Sequence, residues 1–187
     1  MNVDLVDRER AERLRRRVAS SREPPHVCRT EDENDTGRLR PDRDTGHYVI
    51  ASTGVGKTGL MSGLVLKAVQ NGYRALFIKA QDLFDEMYAS LADRSTRHLL
   101  RTLARVDVLA IDEMGYLNIK PEQTNIFFKL MEERHHRYPT LITTNLPYAA
   151  WQDFLGNRAL TQALLSRLRE RCHTVIIEGP CLRAQQG

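Results

Sequence analysis

The chain has 187 residues, 41% hydrophobic and 28% charged, which fits one globular domain with a sizeable core plus some peripheral sequence. No apolar run approaches the length of a membrane span and the N-terminus is too charged for a secretory signal, so a cytoplasmic protein with no membrane partner is expected. The net charge of +4 is uneven: residues 1–46 hold 11 Lys/Arg and 11 Asp/Glu, so residues 47–187 carry the whole excess, a weak argument for a polyanionic partner.

Residues 1–46 read as a charged helix, about 4–19, followed by a linker over 20–46 that carries prolines, glycines and acidic residues and almost nothing to bury. The cysteines Cys28, Cys172 and Cys181 are odd in number and match no metal-ligand spacing, so free thiols in a reducing compartment are expected. From residue 47 onward strands and helices alternate, which argues an α/β domain whose parallel sheet is covered on both sides.

The first strand, Tyr48-Val49-Ile50-Ala51, breaks into Ser52-Thr53-Gly54-Val55-Gly56-Lys57-Thr58 and continues as a helix. This is the strand–loop–helix context of a phosphate-binding loop, in which successive N–H groups form an anion nest at the positive end of a helix dipole. Lys57 would reach the β- and γ-phosphates of ATP, and the Thr58 hydroxyl would ligate Mg2+. Ala51 stands where the usual pattern has its first glycine; alanine is acceptable there while the backbone keeps a negative φ.

Beyond the loop, Leu60, Leu64, Ala68 and Val69 are expected to line one helical face as far as Asn71-Gly72. A second strand follows over 74–79, then helices over 82–91 and about 96–105, the latter directing Leu99, Leu100 and Leu103 inward. Arg94, Arg97, Arg101 and Arg105 are spaced to share one face of that helix, a candidate DNA surface or a solvated one.

The third strand, from 106 to 111, runs into Asp112-Glu113. A buried strand would hold Asp112 at the carboxyl edge of the sheet, where it can serve the Mg2+ beside Thr58. Glu113 points differently and suits a general base acting on water. A helix over 122–138, opened by Pro121, leads to a fourth strand over 140–144, whose tip presents Asn145 either to the γ-phosphate or as part of an ordinary Asn-Leu-Pro turn. Helices over 148–155 and 159–171 precede a last strand over 174–178, and Arg167 on the second of them is ambiguous on local grounds.

Residues 47–183 resemble the ATPase domain of IstB-like and DnaC-like proteins, the AAA+ family of transposition helpers and helicase loaders. The resemblance rests on Ser52 to Thr58, Asn71-Gly72-Tyr73-Arg74, Ile111-Asp112-Glu113-Met114-Gly115-Tyr116-Leu117, Thr143-Thr144-Asn145-Leu146-Pro147, Trp151, Leu165-Ser166-Arg167-Leu168 and Gly179-Pro180-Cys181-Leu182-Arg183. It implies a P-loop NTPase fold with a five-stranded parallel sheet of order 5-1-4-3-2. It further implies Asn145 as sensor 1, Arg167 as an arginine finger acting in trans within a homo-oligomer, and Arg183 as a sensor-2-like residue. The activity implied is DNA-stimulated ATP hydrolysis assisting a transposase, with a loader of a replicative helicase as the near alternative. The first 46 residues are shorter and poorer in apolar residues than the helical domain that usually grips the partner in that family. A P-loop kinase would want a lid and an acceptor site, neither of which is visible in the sequence; a non-catalytic nucleotide-binding module is the third reading.

Overall fold

A computed structural model describes residues 46–51, 56–170 and 172–177. The expected N-terminal helix and linker, loop residues Ser52, Thr53, Gly54 and Val55, and Arg183 lie outside the described residues.

The elements run β1 (Gly46–Ala51), α1 (Lys57–Gln70), β2 (Ala75–Lys79), α2 (Ala80–Ala92), α3 (Thr96–Ala104), β3 (Val108–Met114), α4 (Pro121–Arg134) and β4 (Thr140–Thr144). A 3-10 turn (Tyr148–Ala150), α5 (Trp151–Leu155), α6 (Arg158–Glu170) and β5 (Cys172–Ile177) complete the chain. The strands form one sheet in the order β2-β3-β4-β1-β5, with every pairing parallel. The carboxyl ends of all five strands therefore share an edge, the edge at which ligands of open α/β sheets bind.

Alternation along the strands separates two cores. Leu76 and Ile78 of β2, Leu109 and Ile111 of β3 and Ile142 of β4 face helices α2 to α6, whose Phe84, Leu103, Phe127, Leu130 and Trp151 are buried against them. Ala75, Val108, Ala110 and Leu141 turn the other way and pack on Met61, Val65 and Ala68 of α1. Both faces of β3 and β4 are thus apolar, as a parallel sheet in an α/β domain requires.

Three expectations are corrected here. The buried stripe of α1 is Met61, Val65 and Ala68; Leu60 is 42% exposed and Leu64 only partly buried. Arg94 precedes α3 in left-handed backbone (φ 61°), so it leaves the helical spacing, and only Arg97 and Arg101 stand within the helix, both exposed, with Arg105 at its C-cap. The third strand also reaches further than expected, through both carboxylates to Met114.

Candidate nucleotide-binding site

Gly56 opens α1 from left-handed backbone (φ 89°, ψ 15°), a conformation that glycine adopts without the Cβ penalty of other residues. Among the described residues no side chain caps the helix start, and its first turn, which begins with Lys57 and Thr58, holds no acidic residue. Ala51 is the last residue of β1, paired with Ile177 in extended backbone, where alanine costs nothing.

Thr58 Oγ1 donates to Asp112 Oδ2 at 2.9 Å, joining the start of α1 to the tip of β3. Lys57 Nζ donates to the Thr144 carbonyl at 3.3 Å, joining the same helix to the tip of β4. Asp112 is 1% exposed, yet its carboxylate accepts hydrogen bonds on both oxygens, from Thr58 and from the buried Thr143 hydroxyl. A hydroxyl beside a single carboxylate is a hard-oxygen donor pair of the kind Mg2+ takes when phosphates supply the remaining ligands, so these residues fit that ion.

Glu113 is aimed by an irregularity in the ladder. Ile111 pairs with Ile142 and Met114 with Thr144, so Asp112 and Glu113 together stand opposite Thr143 alone. Glu113 takes a φ of 62°, a backbone that costs a non-glycine residue about 1–2 kcal/mol. Its N–H donates to Thr143 Oγ1 at 3.0 Å, and its carboxylate leaves the buried strand to meet Lys79 Nζ, at the tip of β2, at 3.2 Å. Asn145 follows directly on β4; its Oδ1 is buried with no hydrogen-bond partner among the described residues. Gly115 (φ 115°) lies against it: a Cβ there would stand 2.7 Å from Asn145 Oδ1 and 2.6 Å from Leu146 Cγ.

Lys57, Thr58, Asp112, Glu113 and Asn145 are therefore gathered at one sheet edge, whereas Arg167 of α6 meets Glu132 of α4 at 3.4 Å, with both side chains exposed. Sequence pattern alone assigns no role to Lys79 and none to Thr143 beyond its place in the family motif. Both sit at strand tips, and only the strand order places them beside the carboxylates.

The profile of the IstB-like ATP binding proteins (IstB_IS21) matches residues 43–187. The chain belongs to this family. Its IstB-like sequence is 30% identical over 145 residues to the ATP-binding protein of insertion sequence IS21 from Pseudomonas aeruginosa, covering 78% of this chain and 55% of that protein. It is 28% identical over 145 residues to that of IS5376 from Geobacillus stearothermophilus, covering 78% of this chain and 58% of the other. The chain thus spans little more than half the length of these curated relatives. Among solved structures, DnaI superposes with a TM-score of 0.64 at 21% identity over 95% of this chain and 86% of DnaI. The DnaC helicase loader gives 0.60 at 19% identity over 95% of this chain and 96% of its own. The replication initiator DnaA, bound to AMPPCP and single-stranded DNA, gives 0.60 at 22% identity over 73% of this chain and 41% of DnaA. These likenesses show the fold, an α/β P-loop NTPase-like fold similar to that of DnaC and DnaI.

Proposed function

We propose that the chain is an AAA+ ATPase that binds and hydrolyses ATP, assembles on DNA and assists transposition by an insertion-sequence transposase. The observation that carries the reading is the hydrogen bond from Thr58 to Asp112, which joins the helix after the phosphate loop to the acidic strand tip across 54 residues of sequence. Loop residues Ser52 to Gly56 would cradle the phosphates with backbone N–H groups, and Lys57 would exchange the Thr144 carbonyl for phosphate oxygens. Thr58 and Asp112 would hold Mg2+, which supplies charge compensation on the triphosphate when bound.

Glu113 would take a proton from water as the water oxygen bonds to the γ-phosphorus and the bond to the β–γ bridging oxygen breaks. Asn145 would orient that water or the γ-phosphate. Arg167 of a neighbouring subunit would meet the charge that develops there, with Arg183 as a further sensor of the nucleotide.

The transposase and DNA are inferred from relatives that belong to insertion sequences, and the exposed Arg97 and Arg101 offer a basic surface. A helicase loader shares the fold of DnaC and DnaI. The sequence relatives favour transposition over that alternative.

Phosphate release by the full chain, measured with and without DNA, tests the reading. Wild type should hydrolyse ATP faster with DNA, and Lys57→Ala should lose ATP binding altogether, because the mobile cation serving the phosphates is gone. Wild-type ATP affinity in that variant would remove the phosphate-loop assignment. Transfer to a small-molecule acceptor would make the protein a kinase, and binding without hydrolysis a nucleotide-dependent module. Replacing Arg97 and Arg101 with Glu should lower the salt slope of DNA binding by about 0.9 for each DNA phosphate left without its arginine; an unchanged slope places the DNA elsewhere.

A further inference from the structure

Thr143 stands between the two carboxylates of the site and belongs to neither the phosphate loop nor the Asp112-Glu113 pair. Its side chain is fully buried. The one hydroxyl makes two hydrogen bonds of opposite sense: it donates to Asp112 Oδ1 and accepts from the Glu113 N–H at 3.0 Å. Each bond answers a specific need. Asp112 is buried, and Thr58 occupies only its Oδ2, so among the described residues Oδ1 would otherwise lack a donor. Glu113 sits where the ladder slips, two residues against one, so the slip leaves its N–H out of step with the carbonyls of β4. The Thr143 hydroxyl takes the place of that acceptor and pins the left-handed backbone at Glu113.

We infer that Thr143 is a positioning residue for ATP hydrolysis, a single hydroxyl that fixes Asp112 in the rotamer facing Thr58 and fixes the backbone turn that aims Glu113. The inference rests on the ATPase reading above. Because its proton is committed to Asp112 Oδ1, Thr143 leaves Oδ2 as the oxygen offered toward the Thr58 hydroxyl. Because its lone pair is committed to Glu113, any swing of the Asp112 carboxylate is felt by the general base. The residue is fully buried, and its role runs through the two neighbours it bonds.

The test compares Thr143→Val, which keeps the β-branched shape and removes the hydroxyl, with Thr143→Ser, which keeps the hydroxyl. Three quantities are measured on the full chain: affinity for a fluorescent ATP analogue in EDTA, the same affinity in Mg2+, and the turnover number. The Val variant is expected to bind the analogue in EDTA like wild type. It should lose about 10–100-fold of turnover, as outer-shell partners of metal ligands do when removed, together with a comparable part of the affinity gained on adding Mg2+. The Ser variant should restore both. Hydrogen exchange at the Glu113 amide should accelerate in Val and not in Ser.

Wild-type turnover and Mg2+ dependence in the Val variant would overturn the proposal, and so would a Ser variant as impaired as Val. If the Val protein does not fold, Thr143→Ala against Thr143→Ser repeats the comparison, and equal behaviour of those two overturns it. Should the wild type itself fail to hydrolyse ATP, the ATPase reading falls separately. The Mg2+-dependent affinity and the Glu113 amide exchange still decide whether Thr143 holds the two carboxylates.

Discussion

Lys79 Nζ stands 3.2 Å from Glu113 Oε2, so the tip of β2 holds the carboxylate proposed to act on water. Both side chains are about half exposed, 58% and 46%, so the pair is worth about 1 kcal/mol or less and is easily opened. Glu113→Gln should keep ATP binding and lose hydrolysis, because the shape stays while the base is gone. Lys79→Ala should raise turnover by no more than about fivefold, the release of one weak ion pair. Steady-state phosphate release on both variants checks this. Parental turnover in the Gln protein removes Glu113 as the base, and a tenfold fall in the Ala protein would give Lys79 a positive role instead.

Gly115 carries the second prediction. Its φ of 115° disfavours any side chain, and the Cβ of alanine would lie 2.6 Å from Leu146 Cγ and 2.7 Å from Asn145 Oδ1. Gly115→Ala should therefore cost about 1–3 kcal/mol of stability through strain and overpacking. Its damage is directed at Asn145, so hydrolysis should fall further than ATP affinity. Urea melts and a nucleotide titration measure the two effects. Equal losses in affinity and turnover would mean that the whole site has moved, not the Asn145 side alone.

The alternation of strand and helix was legible because buried strands and amphipathic helices leave different periods in the sequence. The phase of α1 was not: Leu60 and Leu64 fit a 3.6-residue period as well as Met61, Val65 and Ala68 do, and only packing on Ala75, Val108 and Leu141 selects the second set. Tyr88 of α2 is 46% exposed, its ring capped by the Lys120 ammonium 3.9 Å from the centroid. Within the site, the Asp112-Glu113 pair could be read from four apolar residues followed by two acids. The slip at those residues and the part played by Thr143 depend on the register of β3 against β4, which no local pattern encodes.

Arg134 anchors the end of the sheet away from the site. It is 1% exposed and donates to the carbonyls of Leu103, Val106 and Pro139 and to the Thr140 hydroxyl. Burial lowers its pKa to about 10 against the opposing pull of Tyr138 and Asp107, so it remains charged at neutral pH. Arg134→Met should cost about 3 kcal/mol or more, because three buried carbonyls lose their donor. A loss under about 1 kcal/mol in urea melts would contradict that account.

The same end supplies an acid limb. Burial pushes Asp107 up, but hydrogen bonds from the Arg74 side chain and N–H, with the guanidinium charge, outweigh it and hold the carboxyl below its ordinary value. A depressed carboxyl contributes stability that is present above its unfolded pKa of about 3.9 and is lost as pH falls through the lower folded value. Asp107→Asn should therefore flatten the stability profile below about pH 4 and leave the pH dependence near neutrality unchanged. Urea melts of both proteins across that range check it, and an acid limb of equal steepness in the Asn protein would assign the dependence to other carboxylates.

Arg167 decides whether the site is completed by a second copy of the chain. Its guanidinium meets Glu132 at 3.4 Å with both side chains exposed, a contact worth about 1 kcal/mol or less, so little holds it in place. In a monomeric NTPase every catalytic group comes from one chain, and activity per subunit does not change with concentration. If Arg167 serves a neighbour's γ-phosphate, Arg167→Ala should bind ATP normally and hydrolyse it about 10³–10⁵-fold more slowly. Complementation is the distinguishing measurement. Arg167→Ala protein keeps an intact phosphate loop, and Lys57→Ala protein keeps an intact arginine, so each is inactive alone. In mixed assemblies some interfaces pair the intact loop with the intact arginine, and part of the activity should return in proportion to them. A mixture that co-assembles by light scattering and remains inactive shows that Arg167 does not act across the interface, and full activity in Arg167→Ala alone returns it to the class of ordinary surface arginines.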